Sequence, residues 1–309
     1  MNKLATKILV FGKNGQLGRA FQDTLKDQEQ VIFVDRAMCD LTQPKQIECL
    51  LEQYQPQMIF NAAAYTAVDL AEKEPEIAFV INATAPEVMA NYMSRIPQGV
   101  LVHFSTDYVF NGSKTLPYEE TDTPDPLSQY GKSKLAGEVT IENIFARAPK
   151  NGANYFILRT SWIYGDGANF IKTILRLLQE KTALQVIADQ YGVPTSAEWL
   201  ARIATHLAHS SADSGVYHAV PDGETTWYAL ACFVGQIASS LGITLKVLPE
   251  HIQAIPATDY PLPAPRPYNS RMQNQKLKNT LVNLYSAIEF VDWQIPVQEY
   301  VTKITRSKD

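Results

Sequence analysis

Tyr130 and Lys134 are the two side chains of this 309-residue chain whose types and spacing best suit proton transfer. They lie four residues apart in the run Tyr-Gly-Lys-Ser-Lys, so a helix would place the phenol and the ammonium on one face. A free phenol has a pKa near about 10, and an adjacent ammonium favours the phenolate. The pair therefore predicts a tyrosine proton donor whose pKa is lowered by its lysine neighbour.

A hydroxyl that could work with Tyr130 follows the apolar run 100–104, in Ser105-Thr106-Asp107. Ligands of parallel sheets bind at the carboxyl ends of the strands, which is where Thr106 would lie. We expect Thr106 to hydrogen-bond a substrate carbonyl oxygen while Tyr130 gives that oxygen a proton. Taken singly, each residue has another reading: a turn or cap for Thr106, an amphipathic anchor for Tyr130, and a solvated helix face for Lys134.

The glycine loop near the start of the chain predicts a dinucleotide site. Gly12, Gly15 and Gly18 directly follow the apolar run 8–11 and precede a helical pattern. Glycines in this context allow a tight turn and a close approach of the backbone to a pyrophosphate. The spacing differs from Gly-x-Gly-x-x-Gly and is typical of short-chain dehydrogenases/reductases.

The choice between NADH and NADPH stays open. Asp35 ends the second predicted strand, where a carboxylate would accept hydrogen bonds from the adenosine ribose and favour NAD. Arg36 and Lys13 are cations that could instead pair with a 2′-phosphate. Asp40-Leu41 could face the adenine, although Asp40 is also a reasonable helix N-cap ahead of Pro44.

Small side chains follow the third predicted strand, in Asn61-Ala62-Ala63-Ala64-Tyr65-Thr66. They would let the sugars of the cofactor lie against the backbone, although alanines could also simply admit a helix.

The elements that must position these residues alternate along the first half of the chain. Short β-branched runs at 8–11, 31–34, 58–60, 100–104 and 156–158 alternate with helical patterns at 18–26, 44–54, 75–94 and 128–145. This alternation predicts an α/β fold with a Rossmann-type doubly wound parallel sheet. We predict a cofactor domain at 1–160, joined by some later elements at about 195–245. A smaller C-terminal substrate-binding lobe would occupy 161–309 and include an extended proline-rich loop, 255–267, without ladder hydrogen bonds.

Composition limits the partners. A net charge of −5, with basic residues scattered along the chain, gives no reason to expect nucleic-acid binding. The cysteines Cys39, Cys49 and Cys232 are odd in number and form no Cys-x-x-Cys pair, which suits reduced thiols in the cytoplasm. The first apolar run is too brief for a signal-peptide core or a membrane span.

Several further motifs extend these features through most of the chain, and together they resemble the dTDP-4-dehydrorhamnose reductase family. They are Ser105 to Phe110, Tyr118-Glu119-Glu120, Pro126 to Glu138, Arg159 to Trp162, Asp189 to Thr195 and Arg266 to Ser270. The resemblance implies an extended short-chain dehydrogenase/reductase in dTDP-rhamnose biosynthesis for cell-surface polysaccharide. Such an enzyme reduces the 4-keto group of dTDP-4-dehydro-β-L-rhamnose with NADPH or NADH.

The resemblance also implies a set of ligand contacts. The family's cofactor contacts fall on Gly15, Gln16, Leu17, Asp35, Asp40, Leu41, Ala64, Tyr65, Thr66, Phe104, Tyr130 and Lys134, and its sugar contacts on Thr106, Asp107 and Trp162. Trp162 suits an aromatic wall for a sugar or base, although a core tryptophan at a strand end is the alternative. Arg266, among prolines, could grip the diphosphate.

The metal positions of the family are incomplete here. Some members are described as dimers bridged by magnesium through three acidic side chains. Glu198 matches one of them, whereas Ala20 and Lys303 occupy the other two positions. A methyl group and an ammonium cannot replace carboxylate ligands, so we predict no bridging metal by this route. Monomer and homodimer both stay open.

Three other functions would suit a nucleotide-binding fold of this kind. A nucleotide-sugar dehydratase would resemble a Thr-Asp-Glu signature, but Tyr108 takes the place of the glutamate. An epimerase of the same superfamily would retain tightly bound NAD⁺. A non-catalytic regulatory subunit that binds NAD(P) is the third possibility, and the presence of Thr106, Tyr130 and Lys134 together argues against it.

Overall fold

The computed structural model describes residues 6–282 and 288–306. Its strands are β1 (Ile8–Phe11), β2 (Val31–Val34), β3 (Met58–Asn61), β4 (Val100–Thr106), β5 (Asn154–Thr160), β6 (Ile163–Tyr164), β7 (Gln185–Ile187), β8 (Tyr191–Gly192), β9 (Thr195–Ser196), β10 (Gly215–His218), β11 (Thr225–Thr226) and β12 (Gln253–Ile255). Its α-helices are α1 (Gln16–Thr24), α2 (Pro44–Tyr54), α3 (Val68–Ala71), α4 (Pro75–Phe79), α5 (Ala85–Met93), α6 (Gln129–Arg147), α7 (Phe170–Glu180), α8 (Ala197–Ala208), α9 (Trp227–Ser240), α10 (Gln275–Val282) and α11 (Gln294–Arg306).

Six parallel strands form the central sheet, in the order β10-β5-β4-β3-β1-β2. The chain adds β2 on one side of β1 and then continues with β3 on the other side. The order therefore reverses at β1, and in open α/β sheets this reversal creates a crevice beyond the carboxyl ends of the strands.

Both faces of the sheet are covered by helices, which explains why its strands are almost continuously apolar. Alternate residues of β1 point to opposite faces, so Ile8 and Val10 pack with α1, α8 and α10, whereas Leu9 and Phe11 pack with α2, α5 and α6. All four side chains are buried. The predicted doubly wound α/β fold is confirmed.

The predicted helix at 75–94 is present but interrupted. Between α4 and α5 the chain makes one π-helical turn, Val80–Thr84. Such turns commonly lie at functional sites because the extra residue redirects one side chain. Here it directs the buried Asn82 towards the loop after β3 and towards α6. No pattern of apolar residues in the sequence signalled this turn.

A second hydrophobic cluster lies in the C-terminal half. It is formed mainly by α7, α9 and α11. Within the range 195–245, α8 and β10 join the sheet, but α9 packs with α7 and α11 in this second cluster. The sixth sheet strand, β10, was not among the predicted strands. Every helix in residues 6–282 and 288–306 is too short or too polar to span a bilayer.

The proline-rich segment differs from its prediction. Ile255 pairs with Ile187 in the short parallel ladder of β12 and β7, and Ala257–Asp259 form one 3₁₀ turn. The expectation of a loop without ladder hydrogen bonds is wrong at the start of this segment. Ile255 precedes the first proline, so it can join the ladder, and its carbonyl accepts from the Ala188 N–H at 2.9 Å.

A buried ion pair connects α6 to the sheet. The Arg159 guanidinium on β5 donates to both carboxylate oxygens of Glu138, at 2.7 to 3.2 Å, and both side chains are almost completely buried. Removing one partner of such a pair leaves an uncompensated charge in the interior.

Glu138→Gln should therefore lower the free energy of unfolding by about 3–5 kcal/mol, measured by urea denaturation. The matched control is Glu180→Gln, which breaks the exposed pair between Arg176 and Glu180 and should cost no more than about 0.5 kcal/mol. Equal losses from the two substitutions would contradict the importance of burial.

Candidate active site

One cavity of about 880 Å³ lies at the carboxyl ends of the sheet strands. Every predicted site residue lines it except Gly18 and Arg266. The predicted residues that do so are Gly12, Gly15, Gln16, Leu17, Asp35, Asp40, Leu41, Ala64, Tyr65, Thr66, Phe104, Thr106, Asp107, Tyr130, Lys134 and Trp162.

The start of α1 lines this cavity just after the glycine loop, whose N–H groups at Gly12 and Gly15 are bonded to backbone carbonyls. Gly15 is the N-cap of α1, and no side chain caps the helix there. The first N–H groups of a helix lack intrahelical partners and, together with the helix dipole, form a binding site for anions such as phosphate. Gly18 contributes differently, because a Cβ on it would lie 2.0 Å from the Gly12 carbonyl oxygen. Because Gly18 has no side chain, α1 can pack against the glycine loop that precedes it.

Two acidic side chains, Asp35 and Asp40, lie where an adenosine ribose would be held. The Asp35 carboxylate accepts from the N–H groups of Ala37 and Met38, both at 3.1 Å. Hydrogen bonds from Thr42 hold the pKa of Asp40 below its usual range. Asp40 is not the N-cap of α2, since that position is Gln43, which makes no side-chain cap bond.

Residues 61–66 leave β3 as a loop that Asn82 fixes. The Asn82 amide accepts from the Tyr65 N–H at 2.8 Å, and donates to the Tyr65 carbonyl at 3.1 Å and to Ser133 Oγ on α6 at 2.9 Å. The alanines of this segment therefore border the cavity as open backbone, and the next helix, α3, begins only at Val68.

The predicted proton donor and its hydroxyl partner meet where β4 ends and α6 begins. Ser128 caps α6 by accepting from the Gly131 N–H at 3.1 Å, which fixes the helix start next to Tyr130. The Thr106 hydroxyl acts to lower the pKa of the Tyr130 phenol, and both side chains line the cavity. Thr106 Oγ1 also donates to Asp107 Oδ1 at 3.0 Å.

Burial dominates the electrostatics of these groups. It raises the pKa of Tyr130 to about 12 and that of the Asp107 carboxyl to about 6, because the charged forms lose their hydration. The expectation that Lys134 lowers the pKa of Tyr130 is wrong for this structure. A phenol with a raised pKa is fully protonated near neutral pH, which is the form that a proton donor needs.

Lys134 is buried with its charged end inside the protein. Its side chain is 1% exposed, and Nζ donates to the Phe104 carbonyl at 2.6 Å and to His103 Nε2 at 3.2 Å. Burial lowers the pKa of Lys134 to about 8, opposed by the Glu138 carboxylate one helical turn away. The ammonium is therefore easier to deprotonate than a surface lysine.

Trp162 forms an aromatic wall of the cavity. Its backbone has a φ of +44°, an uncommon value for a residue with a large side chain. Its ring stacks on Trp227 with centroids 3.6 Å apart, and both rings line the cavity. Trp162 is partly buried and also packs against the second hydrophobic cluster, so its role as a sugar or base contact stays a prediction.

Arg266 lies outside the cavity lining. Its guanidinium donates to both carboxylate oxygens of Asp69 on α3, at 2.8 and 2.7 Å, and to the Ala264 carbonyl at 2.7 Å. These bonds tie the proline-rich segment to the cofactor-domain side of the fold. The diphosphate role of Arg266 stays a prediction.

Several buried polar atoms at the cavity lack a hydrogen-bond partner among the described residues. They belong to Gln16, Ser105, Asp107 and Thr160, and a further one, on Asn61, lies beside the His103 ring. Buried polar groups are normally satisfied, so a group of unsatisfied ones around one cavity indicates a polar ligand. The bare helix N-terminus and these atoms together suit a nucleotide cofactor.

Comparison with known proteins agrees with this geometry. Residues 6–306 match the family model described as the RmlD substrate binding domain. The chain is 40% identical over 306 residues to the dTDP-4-dehydrorhamnose reductase of Salmonella typhimurium, covering 96% of this chain and 97% of that protein. The chain belongs to the dTDP-4-dehydrorhamnose reductase family. The resemblance to this family predicted from the sequence motifs is confirmed.

Solved structures support the same family. The crystal structure of dTDP-4-dehydrorhamnose reductase from Bacillus anthracis in complex with NADP superposes with a TM-score of 0.84 and 31% identity, over 97% of this chain and 100% of that one. A UDP-glucose 4-epimerase from Thermotoga maritima, with a TM-score of 0.78 and 19% identity over 98% of this chain and 100% of that one, shares the fold alone.

The residues at the family's metal positions form no cluster of ligands. Ala20 is buried on α1, and the Lys303 ammonium lies 2.8 Å from the Glu198 carboxylate in an exposed ion pair. Within the described ranges, no three His, Cys, Asp or Glu side chains are grouped so that they could hold a metal ion. The absence of a bridging metal stays a prediction.

Sequence reasoning missed Asn82 and His103, and it named Asn61 only as the start of the run of small residues. Asn82, Asn61 and His103 are buried polar side chains around the cavity. Asn61 and His103 end or interrupt otherwise apolar strands, and a polar residue in such a run is a usable signal. Asn82 carried no comparable signal, because its position depends on the π-helical turn.

The two glycines of the loop should respond differently to alanine. Gly15→Ala should leave the melting temperature nearly unchanged, since its Cβ would meet only an ordinary contact at 3.4 Å. It should nevertheless weaken NADPH binding at least about tenfold, because the new methyl group would cover the backbone N–H donors at the start of α1. Gly18→Ala should cost about 1–3 kcal/mol or more of stability because of its 2.0 Å clash. Thermal unfolding and fluorescence titration with NADPH measure both effects; unimpaired binding by Gly15→Ala would contradict the phosphate site.

Proposed function

We propose that this protein reduces the 4-keto group of dTDP-4-dehydro-β-L-rhamnose to give dTDP-β-L-rhamnose, using NADPH or NADH. The observation that carries the proposal is that Thr106, Tyr130 and Lys134 lie in one cavity with the glycine loop. Family membership supports the substrate, because the Salmonella relative is named for this reaction.

The cofactor would lie across the carboxyl ends of β1, β2 and β3. Its pyrophosphate would bind at the N-terminus of α1, and its adenosine near Asp35 and Asp40. Lys13 and Arg36 also line the cavity, so a 2′-phosphate would meet positive charge there. The cofactor supplies a hydride to the carbonyl carbon.

Tyr130 and Thr106 would act on the carbonyl oxygen. The Thr106 hydroxyl would turn from Asp107 to donate a hydrogen bond that polarises the carbonyl. The phenol of Tyr130 would give up its proton as negative charge develops on that oxygen. Both side chains line one cavity, and Thr106 acts to lower the pKa of the phenol, as expected of two hydroxyls that would act on one oxygen. The raised pKa of Tyr130 keeps its proton available until the oxygen becomes basic.

Lys134 would stabilise the phenolate that remains after proton transfer, and would hold the nicotinamide ribose hydroxyls. A phenolate in a buried site is unfavourable without a nearby positive charge. Because the pKa of Lys134 is about 8, most of the protein molecules carry a protonated Lys134 at neutral pH.

The sugar nucleotide would lie between the sheet edge and the C-terminal lobe. Trp162, stacked on Trp227, offers a flat apolar wall for a sugar or base, and Asp107 offers a carboxylate beside the reacting centre. Arg266 would reach the diphosphate only by releasing Asp69. We propose a dTDP-sugar as the partner, with no nucleic acid and no magnesium bridge.

The cytoplasm is the compartment we propose, because Cys39, Cys49 and Cys232 form no disulfide. Monomer and homodimer are both compatible with the fold.

The decisive assay mixes the purified protein with the 4-keto sugar nucleotide and follows the absorbance of NADPH, and separately of NADH. Oxidation that depends on the sugar nucleotide is expected with at least one of them. Absence of oxidation with either would rule out the reductase. The epimerase alternative makes a different prediction, since such a protein would carry bound NAD⁺ after purification.

Tyr130→Phe should lower kcat about 10²- to 10⁴-fold, because the site loses its proton donor but little volume. NADPH affinity should change little. Tyr155→Phe, a hydroxyl deletion at the amino end of β5 and away from the cavity, is the matched control and should be close to wild type. Turnover by Tyr130→Phe at the wild-type rate would remove this residue from the acid role.

The pH profile should fall on its alkaline side. The pKa of Lys134 is about 8, so its side chain is protonated below that pH and progressively loses its charge above it. We therefore expect kcat/KM to fall as the pH rises through the pKa of Lys134. Lys134→Arg keeps its charge throughout, so any residual activity should lack this decline. A wild-type profile that is flat between pH 7 and 10 would contradict the role of the ammonium.

A further inference from the structure

The direction of the Lys134 ammonium is set by two protein acceptors. An ammonium has three N–H donors in tetrahedral arrangement, and two of them are used by the Phe104 carbonyl and by His103 Nε2. The remaining N–H is the one available to the cavity, which Lys134 lines. Fixing two donors therefore fixes the direction of the third.

His103 reaches Lys134 because of strand register. His103 on β4 lies opposite Asn61 on β3, and α6 covers this face of the sheet. Its ring is 1% exposed, with Nε2 at 3.2 Å from Lys134 Nζ and Nδ1 at 3.0 Å from the Asn61 amide. Both ring nitrogens are thus engaged by side chains at the cavity.

The hydrogen bonds determine the protonation of the ring. Burial and the positive charge of Lys134 hold the pKa of His103 well below its usual range, so the ring is neutral. A neutral ring that accepts at Nε2 carries its proton on Nδ1. The Asn61 amide supplies an acceptor for that proton when it is turned over about its Cβ–Cγ bond, which also gives a partner to its otherwise unsatisfied oxygen.

We propose that His103 is a positioning residue that accepts a hydrogen bond from Lys134 and, with the Phe104 carbonyl, aims the third N–H of the ammonium at the cofactor ribose and Tyr130. This role rests on the proposed reductase function. It concerns a side chain that would not itself touch the cofactor or the sugar, since His103 does not line the cavity.

A neutral acceptor suits this position better than a carboxylate. The charged group that acts on the ammonium is the Glu138 carboxylate on α6, which is itself paired with Arg159 on β5. Tyr130 lies one helical turn before Lys134, and Asp107 lies beside that phenol. A carboxylate in direct contact would neutralise the ammonium and compete with the phenolate for it. The imidazole holds the lysine without cancelling its charge.

Two amide variants of His103 distinguish the loss of a hydrogen-bond acceptor for Lys134 from the loss of a polar side chain. The longer side chain in His103→Gln can place its oxygen near the position of Nε2, where it can accept from Lys134. The shorter one in His103→Asn reaches only the position of Nδ1, beside Asn61. Both are neutral and polar, so the comparison is matched, and thermal unfolding identifies the folded variants.

Fluorescence titration should show that His103→Asn binds NADPH about tenfold more weakly, and His103→Gln within about threefold of wild type. In the sugar-nucleotide assay, His103→Asn should also lower kcat. The alkaline decline of its kcat/KM should begin about one pH unit lower, because the ammonium loses an acceptor that stabilises its charged form. His103→Gln should restore both properties.

Equal behaviour of folded His103→Gln and His103→Asn, whether both impaired or both unimpaired, would overturn the proposal. If His103→Asn fails to fold, an NADPH affinity of His103→Gln reduced tenfold or more would overturn it as well. The binding measurement does not need turnover, so wild-type protein that binds NADPH but reduces no 4-keto sugar would sink the proposed function and leave this test intact.

Discussion

The buried ammonium of Lys134 is the constraint on which the arrangement of the site depends. Moving a charge of this size out of water costs several kcal/mol unless hydrogen bonds compensate. The Phe104 carbonyl and His103 provide those bonds, and they do so only because α6 lies close against β4. One turn further along α6, Glu138 makes its own buried pair with Arg159 of β5. Two successive turns of one helix thus fix it on two neighbouring strands.

Placing α6 in this way also places the chemistry. Tyr130 lies one turn before Lys134, so the same contacts bring the phenol to the end of β4, next to Thr106. The opposite wall of the cavity depends on the glycine loop of β1 and on the segment after β3, which Asn82 connects to Ser133 of α6. The two sides of the cavity therefore share one supporting helix, and a shift of α6 would disturb both.

Local patterns in the sequence were sufficient for much of this architecture. The runs 8–11 and 31–34 and the helix 44–54 have the predicted bounds, because short apolar runs and a proline at the first turn of a helix are signals carried by neighbouring residues. The pKa of Tyr130 was predicted in the wrong direction, since spacing on a helix says nothing about lost hydration. The Asp69 to Arg266 pair and the contact between His103 and Lys134 join residues far apart in the chain, and only the folded packing brings them together.

The chain passes back and forth between the two hydrophobic clusters. It leaves the sheet for α7, returns with α8 and β10, leaves again for α9, and returns with α10 before it ends in α11. Leu277 and Leu281 of α10 complete the cluster that begins with Ile8. Domains made from one continuous stretch can fold on the ribosome as they emerge. Neither of these two cores has all its parts until Leu281 or Val301 has been synthesised, whereas the buried residues on the other face of the sheet are complete at Ile157. One face of the sheet can therefore be covered during synthesis well before the other.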